Sequence, residues 1–174
     1  RADIAEGTFG AEALAEGLPF PNKVAVVYMT GAQLRETLEA ASQGLPYTAE
    51  TADACASLMQ VSGLTYTVDT TKAYDALEAY GDHWFTAGSV SRVRIDDVNG
   101  QPFDAEATYA VVTSNANFNG MDSSYVLKAA AEANEQSAVT TAVVRDVVFR
   151  FIAAELNHQV GEAYAAPQGR LTIL

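Results

Sequence analysis

The stretch Leu18-Pro19-Phe20-Pro21-Asn22 runs directly into Lys23-Val24-Ala25-Val26-Val27-Tyr28-Met29, and the rest of the chain is organised around it. The apolar run at residues 24–29 reads as a strand covered on both faces. The two prolines stiffen the backbone around Phe20, and each pushes the residue before it toward extended geometry. Phe20 therefore sits on a rigid corner feeding a buried strand. A ring held there is either a plug in the local core or a stacking surface. Composition alone favours the plug, because aromatic side chains mostly serve cores.

The totals bound the remaining choices. A length of 174 residues favours one domain that needs no disulfide or metal staple. Twenty-two acids against ten bases leave a formal net charge of −12, which argues against a nucleic-acid backbone or an anionic membrane as partner. An anionic ligand would need a local positive site against that field. The single cysteine, Cys55, allows no internal disulfide and reads as a small hydrophobe rather than a nucleophile. No apolar run approaches a membrane span, and there is no signal-peptide pattern. The sequence begins with Arg1 rather than Met, so it reads as a piece of a longer chain, and the absence of a targeting signal in it means little.

Outward from the corner, Thr8 is placed to cap a short helix over residues 9–16, with Gly17 as its stop. After the strand, Thr30 and Gln33 have capping-box spacing, and Leu34, Leu38 and Ala41 form one apolar stripe. Gly44 and Pro46 end that helix, and residues 45–56 read as an irregular loop. A second strand is expected over residues 58–69, where Leu64, Tyr66 and Val68 alternate with polar neighbours. Gly63 inside it marks either a bulge or close approach by a ligand or another backbone. Residues 70–88 carry Tyr74, Tyr80, His83, Trp84 and Phe85 without periodicity and read as a long insertion-like loop. Ser91, Val93 and Ile95 mark a strand face, Asn99-Gly100 a hairpin turn, and residues 108–113 the returning strand. The polar loop at residues 115–122 is either functional or a plain turn. A short helix is expected over residues 124–131, the longest helix over residues 139–159, and a last strand over residues 170–174. His158 is read as a cation at the C-terminus of that long helix, favoured by its dipole.

Familiar reaction chemistry is absent. There is no Gly-rich phosphate loop and no nucleophile elbow. Two histidines and one cysteine give no usable metal-ligand spacing. A Ser-His-Asp set stays open, because its members need not be close in sequence. From the residues alone, the chain is a mixed α/β domain with a ligand surface and no visible reaction centre.

Six segments in order, Arg1-Ala2-Asp3-Ile4, Leu18-Pro19-Phe20-Pro21-Asn22, Thr30-Gly31-Ala32-Gln33-Leu34, Gln60-Val61-Ser62-Gly63-Leu64, Val98-Asn99-Gly100-Gln101-Pro102 and Asn119-Gly120-Met121-Asp122, resemble the C-terminal domain of bacterial 5′-nucleotidases and UDP-sugar hydrolases. The ending Glu162-Ala163-Tyr164-Ala165-Ala166-Pro167-Gln168-Gly169-Arg170 is similar to that family too. The resemblance implies an α+β fold with helices layered over mixed β-sheets. It implies the substrate-binding half of a metal-dependent nucleotide phosphohydrolase, of the 5′-nucleotidase, UDP-sugar hydrolase or 2′,3′-cyclic phosphodiesterase type. The catalytic half would be an N-terminal metallophosphatase domain of the same chain, holding two divalent metal ions. This half would hold neither metal nor catalytic residue, and would be inactive alone. An extracellular or cell-envelope location follows from the same resemblance.

Residue by residue, the resemblance gives Arg1 to the substrate phosphates, which a guanidinium pairs bidentately. It gives Phe20 to one face of the base, turning the plug reading into the platform reading. It gives Asn22 to the base edge, Gly63 to close approach by the ligand, and Asp122 to the ribose hydroxyls. One departure stands out. The family's second stacking aromatic falls at Ala116, with Phe118 two residues later, and Gly-Gly-Asp-Gly has become Gly120-Met121-Asp122-Ser123. Either Phe118 supplies the second ring through a shifted loop, or Ala116 leaves a one-sided or defunct site. The second branch supports a rival reading: a non-catalytic cell-surface binding or adhesion module that kept the fold and lost nucleotide binding.

Overall fold

The computed structural model describes residues 7, 10–81 and 83–174. Arg1, the segment around it and the proposed cap Thr8 lie outside the described residues. The first helix is α1 (Ala11–Gly17), and the proline corner leads from it into β1 (Lys23–Thr30). Ala25, Val27 and Met29 are buried on one face of β1, while Val24, Val26 and Tyr28 are half covered on the other. Helix α2 (Gly31–Ala41) starts where the spacing predicts. The Thr30 hydroxyl accepts the Gln33 N–H at 3.2 Å, and the Gln33 side chain accepts the Thr30 N–H at 2.9 Å.

The chain continues through a one-turn helix α3 (Ala52–Cys55), β2 (Leu64–Val68), β3 (Ala76–Tyr80), β4 (Trp84–Ala87), β5 (Val93–Val98), β6 (Gln101–Pro102) and β7 (Thr108–Ser114). It closes with α4 (Asn115–Phe118), α5 (Tyr125–Ala133), β8 (Ala138–Val143), α6 (Val144–Ala154), a 3₁₀ turn (Glu162–Tyr164) and β9 (Leu171–Ile173). The fold is α+β, with helices layered over mixed sheets. A three-stranded antiparallel sheet has the order β7-β1-β8. A four-stranded sheet has the order β6-β5-β2-β9, with β9 parallel to β2 and the other pairs antiparallel. The β3–β4 hairpin stands apart.

One core joins the layers. Val27 and Met29 of the first sheet meet Leu34 and Leu38 of α2, Val126, Leu127 and Ala130 of α5, and Tyr66, Val68, Val93 and Ile95 of the second sheet. A side chain of this kind, fully buried, stabilises by about 1.5–3 kcal/mol. Glu39 is buried inside this layer. Its carboxylate accepts the Arg92 N–H at 3.0 Å and the Val93 N–H at 2.8 Å, tying α2 to the start of β5. The Arg92 guanidinium donates to Ser42 O at 3.0 Å and Leu45 O at 2.7 Å, closing the turn after α2. Burial pulls the Arg92 pKa down, and the Glu39 charge opposes that shift.

Several expectations are corrected. Residues 138–143 form β8, not the first turns of a helix, because Thr140 and its β-branched neighbours pair with β1 and only α6 follows the helical stripe. His158 lies beyond the end of α6, where its N–H closes onto Ile152 O at 2.9 Å. Residues 70–88 are not an irregular loop but hold the β3–β4 hairpin. A lone hairpin is marginal in water, and this one is pinned from outside. The Phe85 N–H donates to Gln43 Oε1 at 2.9 Å, and the Ala87 N–H to Tyr125 Oη at 3.0 Å. The second strand is shorter than expected, beginning at Leu64. Cys55 is only partly buried, and its thiol donates to Gly44 O at 2.7 Å.

This core can be tested by mutation and by pH. Glu39→Ala strands two buried N–H groups and the Arg92 charge, so it should cost about 3 kcal/mol, a Tm lower by roughly 10 °C. Thermal unfolding that moves by less than about 1 kcal/mol would show that the carboxylate does not hold the layers together. Burial also pushes the Tyr66 hydroxyl up to about 12 and the Tyr125 hydroxyl up to about 12, and raises that of Tyr74. Tyrosine in an unfolded chain ionises near pH 10. Between about pH 10 and 12 the unfolded chain therefore loses protons that the folded chain keeps, and stability falls as pH rises through that window. Below it these groups add no pH dependence. A Tm unchanged across the window, followed beside phenolate absorbance, would overturn the assignment.

Candidate functional site

The proline corner and the polar loop at residues 115–122 meet at one end of the three-stranded sheet. Strand β1 runs antiparallel to both neighbours, so its start lies beside the ends of β7 and β8. Val24 pairs with Ser114, and Lys23 with Val143. Each neighbour turns into a helix there, α4 after β7 and α6 after β8. The corner is fastened to both. The Lys23 N–H donates to Asn115 Oδ1 at 2.7 Å, and the Val144 N–H donates to Asn22 O at 2.8 Å. Ser114 caps α4 by accepting the Asn117 N–H at 3.2 Å.

On this frame Phe20 is 58% exposed, so its ring is not a core plug. Asn22 is partly buried, and its side-chain amide has no hydrogen bond among the described residues. Past α4 the chain doubles back, with the Met121 N–H donating to Ala116 O at 3.0 Å and the Gly120 N–H to Asn117 O at 2.9 Å. Asp122 follows with a left-handed backbone (φ 56°). Its carboxylate is partly buried and has neither hydrogen bond nor ion pair among the described residues. Phe20, Asn22 and Asp122 are thus carried on segments linked by a short run of hydrogen bonds through Asn115 and Ala116.

The other expected residues fall differently. Phe118 lies on α4, but part of its ring packs against the core cluster. Gly63 opens β2 on the other sheet. Its carbonyl accepts the Asn99 N–H at 2.7 Å, its φ is 79°, and a Cβ there would stand 2.9 Å from Asn99 Oδ1. These contacts account for a glycine on structural grounds alone. Among the described residues no group of three or more His, Cys, Asp or Glu could hold a metal ion.

Two groups escape a reading of the sequence. Asn115 stands in a loop recognisable only as polar, yet it fixes where β1 begins. Tyr80, in the stretch that reads as a loop, donates its hydroxyl to Gly120 O at 2.5 Å, next to the Asp122 turn. The aromatic residues of that stretch, Tyr80 among them, are the signal. A separate cleft of about 200 Å³ lies between α1 and α6, lined by Leu14, Arg145, Phe149 and Arg150 among others.

Known proteins share this fold. A family model described as the 5′-nucleotidase C-terminal domain matches residues 1–129. Among solved structures, the 5′-nucleotidase precursor from Thermus thermophilus is 27% identical, with a TM-score of 0.73 over 100% of this chain and 29% of that one. The NAD nucleotidase of Haemophilus influenzae is 18% identical, with a TM-score of 0.68 over 100% of this chain and 28% of that one, and so is similar in fold. A 5′-nucleotidase-like protein from Staphylococcus aureus, solved with alpha-ketoglutarate, is 14% identical with a TM-score of 0.56, over 92% of this chain and 29% of that one. No curated protein sequence matches significantly. The chain spans under a third of the length of these solved relatives. On the family match, this chain belongs to the 5′-nucleotidase C-terminal domain family, whose members are hydrolases.

Proposed function

We propose that this chain is the nucleoside-recognising part of a metal-dependent nucleotide phosphohydrolase whose reaction centre lies in an N-terminal metallophosphatase domain. The observation that carries the reading is an exposed aromatic ring on a proline-stiffened corner, on segments that also carry two polar side chains without partners among the described residues and that hydrogen bonds join through Asn115 and Ala116. An amide and a carboxylate that are both partly buried have given up part of their water without a replacement among the described residues, and a ligand would supply it.

The roles follow from the chemistry. Phe20 stacks on one face of the base. The Asn22 amide, which can donate and accept, reads the base edge. The Asp122 carboxylate accepts from the ribose hydroxyls, a charge-assisted and therefore strong contact. Arg1 pairs with the phosphates, supplying the positive charge that an anionic substrate needs against a net charge of −12. Phe118 completes the sandwich only by turning its ring off the core. Gly63 is assigned to the ligand by the family pattern. Secretion or attachment to the cell envelope belongs to the same proposal. The core packing of Phe118 favours one rival, a module that kept the fold and lost the base site.

Adenosine is the right probe, because it needs no phosphate site. In ligand-observed NMR titrations, Phe20→Ala should weaken adenosine by roughly tenfold or more, since a stacked base is worth about 1–3 kcal/mol. Equal affinity in both proteins would remove the platform, and no binding to either would favour the rival module. The pure chain should release no phosphate from a nucleoside monophosphate with divalent metal present. Release that a chelator abolishes would place the reaction centre here instead.

A further inference from the structure

We infer that Tyr80, on the β3–β4 hairpin, is a positioning residue that aims Asp122 at the ribose. The inference rests on the nucleoside-binding reading above and deepens it. Asp122 has no side-chain partner among the described residues, so only its backbone decides where its carboxylate points. That backbone is left-handed at both Gly120 (φ 85°) and Asp122 (φ 56°), a turn that glycine and aspartate tolerate better than most residues and that sets the direction of the Asp122 Cβ.

The hairpin holds this turn from both sides. The Tyr80 hydroxyl donates to Gly120 O at 2.5 Å, and a Cβ at Gly120 would land on that same hydroxyl. The Tyr80 ring lies 5.6 Å from the Tyr125 ring, tilted by 58°, where Tyr125 opens α5 just after the turn. Tyr125 is itself fixed, donating to Glu36 Oε1 at 2.9 Å and accepting the Ala87 N–H from β4 at 3.0 Å. The segment carrying Asp122 is therefore gripped at its start by a hydroxyl and at its end by a ring, both from Tyr80.

The test is Tyr80→Phe, which keeps the ring and removes only the hydroxyl. Adenosine and 2′,3′-dideoxyadenosine are titrated against the variant and the parent protein, and amide hydrogen exchange is followed at residues 120–124. The expected result is that adenosine weakens by roughly tenfold, the loss of one strong hydrogen bond to the ligand, while the dideoxy nucleoside binds as before. Exchange at residues 120–124 rises. Gly120→Ala, which drives a methyl into the hydroxyl, should reproduce the selective loss. Equal weakening of both nucleosides would mean a merely structural role and overturn the inference, as would unchanged adenosine binding. If the parent protein binds neither nucleoside, the functional reading fails and hydrogen exchange alone judges the latch: unchanged exchange in Tyr80→Phe overturns it, and faster exchange confined to residues 120–124 upholds it.

Discussion

The pairing of β1 on both of its edges is the constraint from which the rest follows. An antiparallel strand flanked by two antiparallel partners brings both partners' ends to its own start. Here that start is a corner whose backbone two prolines have already stiffened. The ends of β7 and β8 each turn into a helix at that point, and each helix answers a polar group of the corner: Asn115 takes the Lys23 N–H, and Val144 donates to Asn22 O. The candidate site is thus a by-product of sheet order. It rests on a strand held along both edges, the kind of support that keeps a binding geometry fixed.

The second constraint ties a helix to the other sheet. Glu39 crosses from α2 to the backbone of β5, and Arg92 returns from β5 to the turn after α2. A buried carboxylate is tolerated because main-chain N–H groups surround it. The contact fastens α2 to the second sheet, and α5 packs against both α2 and β1. The loop bearing Asp122 leads directly into α5, so its position depends on both constraints at once.

What can be read from the residues divides along physical lines. The Thr30–Gln33 box, the Asn99-Gly100 turn and the alternation at residues 64–68 depend on neighbours in sequence, and all are present in the fold. Strand β8 passes for helix in the sequence, because it runs without a glycine or proline into the stripe of Val144, Val148 and Phe151, and only pairing with β1 decides where the helix begins. The hairpin is hidden because its stability is borrowed. Its anchors are Gln43, Tyr125 and Gly120, all remote in sequence. At the site, the family resemblance identifies Phe20, Asn22 and Asp122 as a set. It does not show that Phe118 leans on the core, since one ring's orientation depends on packing that no motif encodes.

The hairpin's mode of attachment also governs how its sequence can drift. None of the residues described in β3 or β4 is fully buried, and two of its anchors are main-chain N–H groups, at Phe85 and Ala87. A main-chain anchor survives almost any side-chain replacement that preserves the strand. Most positions on this hairpin are therefore free to vary, with Tyr80 the exception, because its contacts come from its own hydroxyl and ring. Members of the family could differ widely in composition along the hairpin and still hold the following loop in the same place.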